Sequence, residues 1–324
     1  MRSLAAAALA AAVLAGCAIR PPGPGSFHFG VMGDTPYNAG EERAFVAMLA
    51  RMDAEPLRFS IHVGDIKAGS RAPCTDAVYF ARKADFDRSD HPVILTPGDN
   101  DWTDCRRASN GAMDPIERLA RMREIFFSDA WSLGRARLET RAQSQCLSPA
   151  VAACGCGAHP ENRLWTESGV VFATINVPGS NDNQGYDARD DLEARCRGEA
   201  NRRWLDEAAR EAQAHDALGL VIALQADPWA AKTSVYAPLL TQVGEIARRV
   251  AKPVLFVHGD THVYRLDAPF VDAHGAPIAN LTRLETYGSP LVGWIDVTVD
   301  PSDPRLFRFE PHLHALVPWG GPPQ

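Results

Sequence analysis

Four Gly-Asp dipeptides occur in this chain: Gly33-Asp34, Gly64-Asp65, Gly98-Asp99 and Gly259-Asp260. Each closes an apolar, strand-like run. The third continues as Asn100-Asp101 and the fourth as Thr261-His262. One such dipeptide is an ordinary turn leading into a helix cap. Four of them, with a histidine beside the last, can do chemistry if they meet. Two unit charges 4 Å apart repel by about 4 kcal/mol at an effective dielectric of 20. Converging carboxylates must therefore protonate or hold cations between them. Divalent ions held in this way lower the pKa of bound water and make it a nucleophile.

The runs that carry these residues are Phe27 to Asp34, Arg58 to Asp65, His91 to Asp99 and Pro253 to His262. All are short, rich in β-branched and aromatic residues, and bounded by turn signals, as buried strands are. In open α/β sheets ligands bind outside the carboxyl ends of the strands, which is where all four aspartates fall. Helical spacing predicts helices over Glu41 to Ala54, Asp76 to Asp87, Pro115 to Phe127, Asp190 to His215 and Tyr236 to Val250. Asp114 is the expected cap of the third, with Pro115 at its first position. Val170 to Asn176, Leu218 to Leu224, Val292 to Val299 and Leu306 to Phe309 read as further strands. Alternating strands and helices followed by a β-rich end predict an α/β sandwich. Ser128 to Pro160 has no clear period and holds three cysteines, so it reads as a disulfide-stapled insertion within one domain, residues 27–315.

The motifs, in this order and at these strand ends, resemble the calcineurin-like metallophosphoesterase family. That family's series runs Asp-x-His, Gly-Asp, Gly-Asn-His-Asp/Glu, a lone His, and Gly-His-x-His. Here Gly33-Asp34-Thr35-Pro36, Gly64-Asp65, Gly98-Asp99-Asn100-Asp101, Gln225 and Gly259-Asp260-Thr261-His262 stand in their places, and the resemblance covers roughly Phe27 to Phe309. It implies a four-layer type of α/β sandwich with mixed β-sheets and a metal site at the C-terminal strand ends. It implies Asp34 and His262 at a first metal, Asp65 bridging, and Asp99 and Asp260 at a second, with Gln225 or else Asp227 near the lone histidine's place. Pro36 cannot ligate, and Asn100 stands where a histidine would assist the leaving group. Imidazoles give way to oxygens, which favours hard cations: two divalent ions are expected, Mn, Mg, Ca or Fe. The implied activity is hydrolysis of phosphate mono- or diesters, with small phosphate esters as substrates and, lacking an acid histidine, a preference for good leaving groups. The alternative is a non-catalytic metal-binding lipoprotein retaining a degenerate phosphoesterase fold.

Asn100, Lys67, Asn176 and Asn181 are candidates to hydrogen-bond a phosphate oxygen. The plainer reading of Lys67 is a solvated loop charge, and of Asn176 and Asn181 Asx-turn chemistry. His258 and His62 alternate into strands and read as core or supporting histidines. Trp102, beside the third motif, lines a pocket or packs.

The chain has 324 residues, 46% hydrophobic and 23% charged, enough for a large core. A net charge of −7 excludes a generic basic surface for nucleic acid. Met1-Arg2, the apolar Leu4 to Ala15 and Leu14-Ala15-Gly16-Cys17 resemble a bacterial lipoprotein signal, 1–16, with Cys17 as the lipidated residue. The apolar run is too short to cross a bilayer core of about 30 Å. Residues 17–26 then form a Pro/Gly tether. The expected place is the cell envelope, lipid-anchored on the periplasmic side, with Ala18 pointing to the outer membrane. Cys74, Cys105, Cys146, Cys154, Cys156 and Cys196 remain, an even number that reads as disulfides in an exported protein. Cys154-Gly155-Cys156 has no matching pair for a zinc site.

Overall fold

A computed structural model describes residues 23, 25–144, 157–230 and 234–318. The signal, Cys17, Cys146, Cys154 and Cys156 lie outside the described residues. Strand β1 (Phe27–Met32) alternates little because both faces are covered; β2 (Leu57–His62) and β3 (Val93–Leu95) are likewise almost wholly buried. These three run parallel, and β11 (Leu291–Val299) and β12 (Phe307–Leu316) extend the sheet antiparallel in the order β12-β11-β1-β2-β3. A second, seven-stranded sheet has the order β4-β5-β6-β7-β8-β10-β9. Its parallel centre is β6 (Val170–Thr174), β7 (Gly219–Ala223), β8 (Val254–His258) and β10 (Leu281–Glu285). The antiparallel β4 (Arg141–Gln143) and β5 (His159–Glu167) flank it on one side and β9 (Arg265–Asp267) on the other.

The sheets pack face to face. Phe29 stacks on Phe59 within the first sheet, and Phe172 of the second meets both edge-on at 5.3 and 5.0 Å. Each such buried ring contributes roughly 1.5–3 kcal/mol over an exposed one. Helices cover the outer faces. α1 (Ala39–Met52), α2 (Asp76–Phe86) and α3 (Pro115–Phe126) pack Phe45, Met48, Tyr79, Phe86, Leu119 and Met122 over the first sheet. α4 (Ala188–Ala214) and α5 (Ala237–Val250) pack Trp204, Leu205, Val243 and Ile246 over the second. The result is the expected α/β sandwich of mixed sheets, in helix–sheet–sheet–helix layers. Asp114 caps α3 by accepting from the Ile116 and Glu117 amides, as expected.

Two segments differ from their sequence reading. Part of the tether is held against the domain: Gly23 N–H donates to Asp300 Oδ1 at 3.3 Å, and Ser26 Oγ donates to Gly23 O at 2.6 Å. The stretch from Ser128 is not irregular throughout. Its first half is ordered: Leu133 bridges Val93 of the first sheet, Trp131 bridges Glu139 within the stretch, and Arg141–Gln143 pairs with β5 as β4 of the second sheet.

Cys74 and Cys105 form a disulfide across 31 positions, joining the loop after β2 to the one after β3. Cys196 is also disulfide-bonded. A loop of that length constrains the unfolded chain by about 3–4 kcal/mol in the chain-entropy model. The Cys74→Ser/Cys105→Ser double variant is therefore expected to lose about that much stability in urea melts followed by circular dichroism. A loss below about 1 kcal/mol would show that the bond does not hold these loops.

Candidate functional site

The parallel strands of both sheets end at one edge of the sandwich, and the Gly-Asp motifs begin there. Asp34, Asp65, Asp260 and His262 all take left-handed backbone, at φ of 53°, 58°, 80° and 65°. Such residues cost of order 1 kcal/mol or more each and gather at functional sites. The glycines explain the dipeptide. A Cβ on Gly98 would stand 2.1 Å from Asp65 Oδ1, and one on Gly259 would stand 2.2 Å from Asp34 Oδ2. The glycine of one motif thus makes room for the carboxylate of another.

Asp34 accepts the Asp260 N–H on both oxygens, at 3.0 and 3.2 Å, and Thr286 Oγ1 at 3.3 Å. Asp65 accepts the Asn100 N–H at 3.0 Å and the Tyr37 hydroxyl at 3.0 Å. Asp99 accepts Ser180 Oγ at 2.6 Å and Gln225 Nε2 at 3.2 Å. Asp260 accepts the same Gln225 amide at 3.3 Å and the Asp227 N–H at 3.0 Å. His262 donates from Nδ1 to Ser289 O at 2.7 Å. That fixes the tautomer and turns the Nε2 lone pair to the site, 3.1 Å from the Tyr37 hydroxyl and 4.0 Å from Asp34 Oδ1. The four motif aspartates and His262, all predicted as ligands, therefore face one concavity.

Electrostatics there is dominated by excess negative charge. Burial, then the Asp260 carboxylate, holds Asp34 well above the carboxylate range. Burial, then Asp99, does the same to Asp65. Asp260 is pushed up to about 7 by burial and Asp99, and Asp104, also facing Asp99, to about 7. Oxygen donors with one imidazole suit a hard divalent cation. The excess charge gives such an ion a reason to bind.

The remaining predicted residues divide. Asn100 lies at the centre, its Nδ2 donating to the Tyr37 hydroxyl at 2.9 Å. Gln225 reaches the site, but its Oε1 accepts the Gly179 N–H at 2.6 Å and its NH₂ faces the acids. As placed it is a donor to carboxylates and offers no oxygen to a metal. Lys67 is neither solvated nor aimed at the concavity. It is buried beneath it, donating to Ala68 O at 2.9 Å and Asn100 O at 2.7 Å. Burial lowers its pKa against the pull of Asp101 and Asp65. Asn181 Nδ2 closes a local turn onto Gln184 O; the neighbouring Ser180 is the residue that reaches Asp99. Asn176 bonds Glu161 and carries buried backbone behind the site. His62 supports the Thr35 carbonyl, and burial depresses it to about 3; Trp102 is fully buried under Arg197.

Sequence reasoning missed Tyr37, Ser180, Asp104 and the role of Asp101. Asp101 accepts the backbone N–H groups of Asp65, Ile66 and Gly98 at 2.8–2.9 Å, locking the second motif to the third. Tyr37, three residues after Asp34, was the one with a positional signal. A second group also went unseen. Among the described residues, Asp227, His258 and Glu285 bring three ligand atoms within 4.8 Å of one another, and all are buried. This cluster could hold a metal ion. Arg265 pairs with Glu285 and Asp227 beside it, and His258 Nε2 has no hydrogen-bond partner. Asp227, considered as a ligand in place of Gln225, belongs to this group.

No protein-family model matches the chain, and no curated protein matches it. Comparison with solved structures finds the fold. GAP50, the anchor in the inner membrane complex of Plasmodium, superposes with a TM-score of 0.51 over 89% of each chain, at 9% identity. TT1561 of Thermus thermophilus gives a TM-score of 0.46 over 90% of this chain and 100% of that one, also at 9% identity.

Raised carboxyl pKa values fix the sign of a pH test. Asp260 and Asp104 contribute stability fully present below the ordinary carboxylate range and lost as pH rises through about 7. A cation must displace those protons. The thermal shift given by Mn²⁺ or Mg²⁺ to chelator-treated protein is expected to grow from pH 5 to pH 8. A shift that is absent, or equal at both values, would count against an ion among these carboxylates.

Proposed function

We propose that this chain is a metal-dependent phosphoesterase of the calcineurin-like kind, anchored to the bacterial cell envelope through Cys17 and acting on small phosphate mono- or diesters. The observation that carries this reading is the convergence of Asp34, Asp65, Asp99, Asp260 and the His262 Nε2 lone pair at strand ends of both sheets. Divalent ions held by those five residues would lower the pKa of water and offset charge on the phosphoryl oxygens. The chain's own groups would do the rest. Asn100 Nδ2 and the Tyr37 hydroxyl stand together beside Asp65 and His262 and supply donors for a phosphate oxygen. Burial and the Asp65 charge keep Tyr37 protonated, so it serves as a donor across the working pH range. Ser180 and Gln225 fix the two oxygens of Asp99, and Ser289 fixes the His262 ring. Asn100 has no titratable proton to give a departing alkoxide, so activated aryl esters are the favoured substrates.

A second reading, a metal-binding lipoprotein without turnover, is favoured by one observation: Gln225 presents N–H groups where a ligand would present a lone pair.

An aryl phosphate assay with added Mn²⁺ separates the two. Turnover that Asp65→Asn and His262→Ala each reduce by about 100-fold or more supports the hydrolase. Stoichiometric metal with no turnover on mono- and diesters supports the binding protein. Protein that binds no divalent ion sinks both.

A further inference from the structure

The route by which the chain leaves the domain sets which way the site faces. Asp34 follows the C-terminal end of β1, while the described chain enters at the opposite end, before Phe27. Phe27 pairs with Val299, and the next residue, Asp300, accepts the Gly23 N–H. A side chain at Gly23 would strike Ser302, with a Cβ 2.6 Å from its Oγ. Gly23 is thus seated on the turn between β11 and β12. From Phe27 to Asp34 there are seven strand-like steps of about 3.3 Å, so the carboxylates lie roughly 23 Å from the strand's start. From Cys17 to Gly23 there are six steps of at most about 3.5 Å, a reach of roughly 21 Å.

With Cys17 acylated and Gly23 seated, the reach is about the same as the distance across the sandwich, and the anchor leaves from the edge opposite the site. Turning the site toward the bilayer would need the tether drawn out straight along the flank of the domain, at the cost of its conformational entropy. The edge that can meet the membrane is the one where β8, β10 and β12 start. It carries a groove of about 800 Å³ lined in part by Lys252, Pro253, Leu266, Arg305, Phe307 and Phe309. Arg305 is 81% exposed and Leu266 is 43% exposed. Exposed Leu266 lies beside Lys252 and Arg305, whose charges are paired with Asp216 and Asp303, and an apolar edge with a balanced charged rim suits the interfacial zone of a lipid surface.

We propose that in the acylated protein this groove edge lies against the bilayer and the carboxylate site faces away from it, so that the site takes soluble phosphate esters and not the phosphates of lipids in the same membrane. The proposal rests on the anchored-phosphoesterase reading above. The lipid phosphate and the soluble ester share one chemistry; geometry separates them.

The test uses full-length acylated protein in vesicles of phosphatidylethanolamine and phosphatidylglycerol that carry a headgroup energy acceptor. A donor fluorophore is placed through Arg305→Cys or Lys252→Cys at the groove edge. In separate variants it is placed through Ser70→Cys, in the exposed loop after β2 at the site edge. Transfer several-fold stronger from the groove-edge positions is expected; equal transfer, or the reverse order, overturns the proposal. In the same vesicles made with added phosphatidic acid, turnover of a soluble aryl phosphate with none of the phosphatidic acid is expected, and hydrolysis of the phosphatidic acid overturns the proposal. The underlying reading fails separately. If Cys17→Ser co-sediments with vesicles as well as the acylated protein does, the anchor is wrong. If neither ester turns over, the hydrolase assignment is wrong, while the fluorescence still decides the orientation.

Discussion

Crowding of negative charge at one edge is the constraint on which the structure depends. Asp34, Asp65, Asp99 and Asp260 are drawn into a space where each raises the cost of ionising another. The fold answers with directed N–H and O–H groups from the Asp260, Asn100 and Asp227 backbones and from Ser180, Gln225 and Tyr37. It adds one buried ammonium, Lys67, set one layer below, where it bonds the loop's carbonyls and leaves the acids unpaired. A protein selected for stability alone would fill such a place with apolar residues, since buried charge is weak evidence of stabilisation. Its presence, with left-handed backbone at four site residues, is what singles out this edge as the candidate functional site.

The layers exist to make this crowding possible. Parallel strands within each sheet deliver their ends to one side, and the two sheets pressed together through Phe29, Phe59 and Phe172 bring those ends within side-chain reach. Helices on the outer faces leave the strand ends open. Neither sheet alone holds the set: Asp34, Asp65 and Asp99 come from the first, Asp260 and His262 from the second.

Much of this was legible in the chain. Runs such as Phe27–Met32 and Val254–His258 show their strand character because burial on both faces leaves nearly continuous apolar sequence. The Gly-Asp signal was legible because close approach admits no side chain at Gly98 or Gly259. What could not be read was direction. That Gln225 turns its nitrogen to the acids depends on the Gly179 amide, a partner 46 positions away. That Lys67 is buried depends on a loop 33 positions on. The Asp227, His258 and Glu285 group is drawn from the ends of three strands, β7, β8 and β10, and carries no local pattern at all. Tyr37 was overlooked because a tyrosine after a proline looks like loop packing until its hydroxyl is seen between Asp65 and His262.

The bond between Cys74 and Cys105 has a further bearing. It ties the segment after the second motif to the segment after the third, and Asp101 sits between, its carbonyl bonded by Tyr79. A newly made chain held among cytosolic thiols lacks that tie. On the envelope reading proposed above, this covalent tie between the second and third motif segments forms only after export, so folding of the two loops and their cross-linking fall in different compartments.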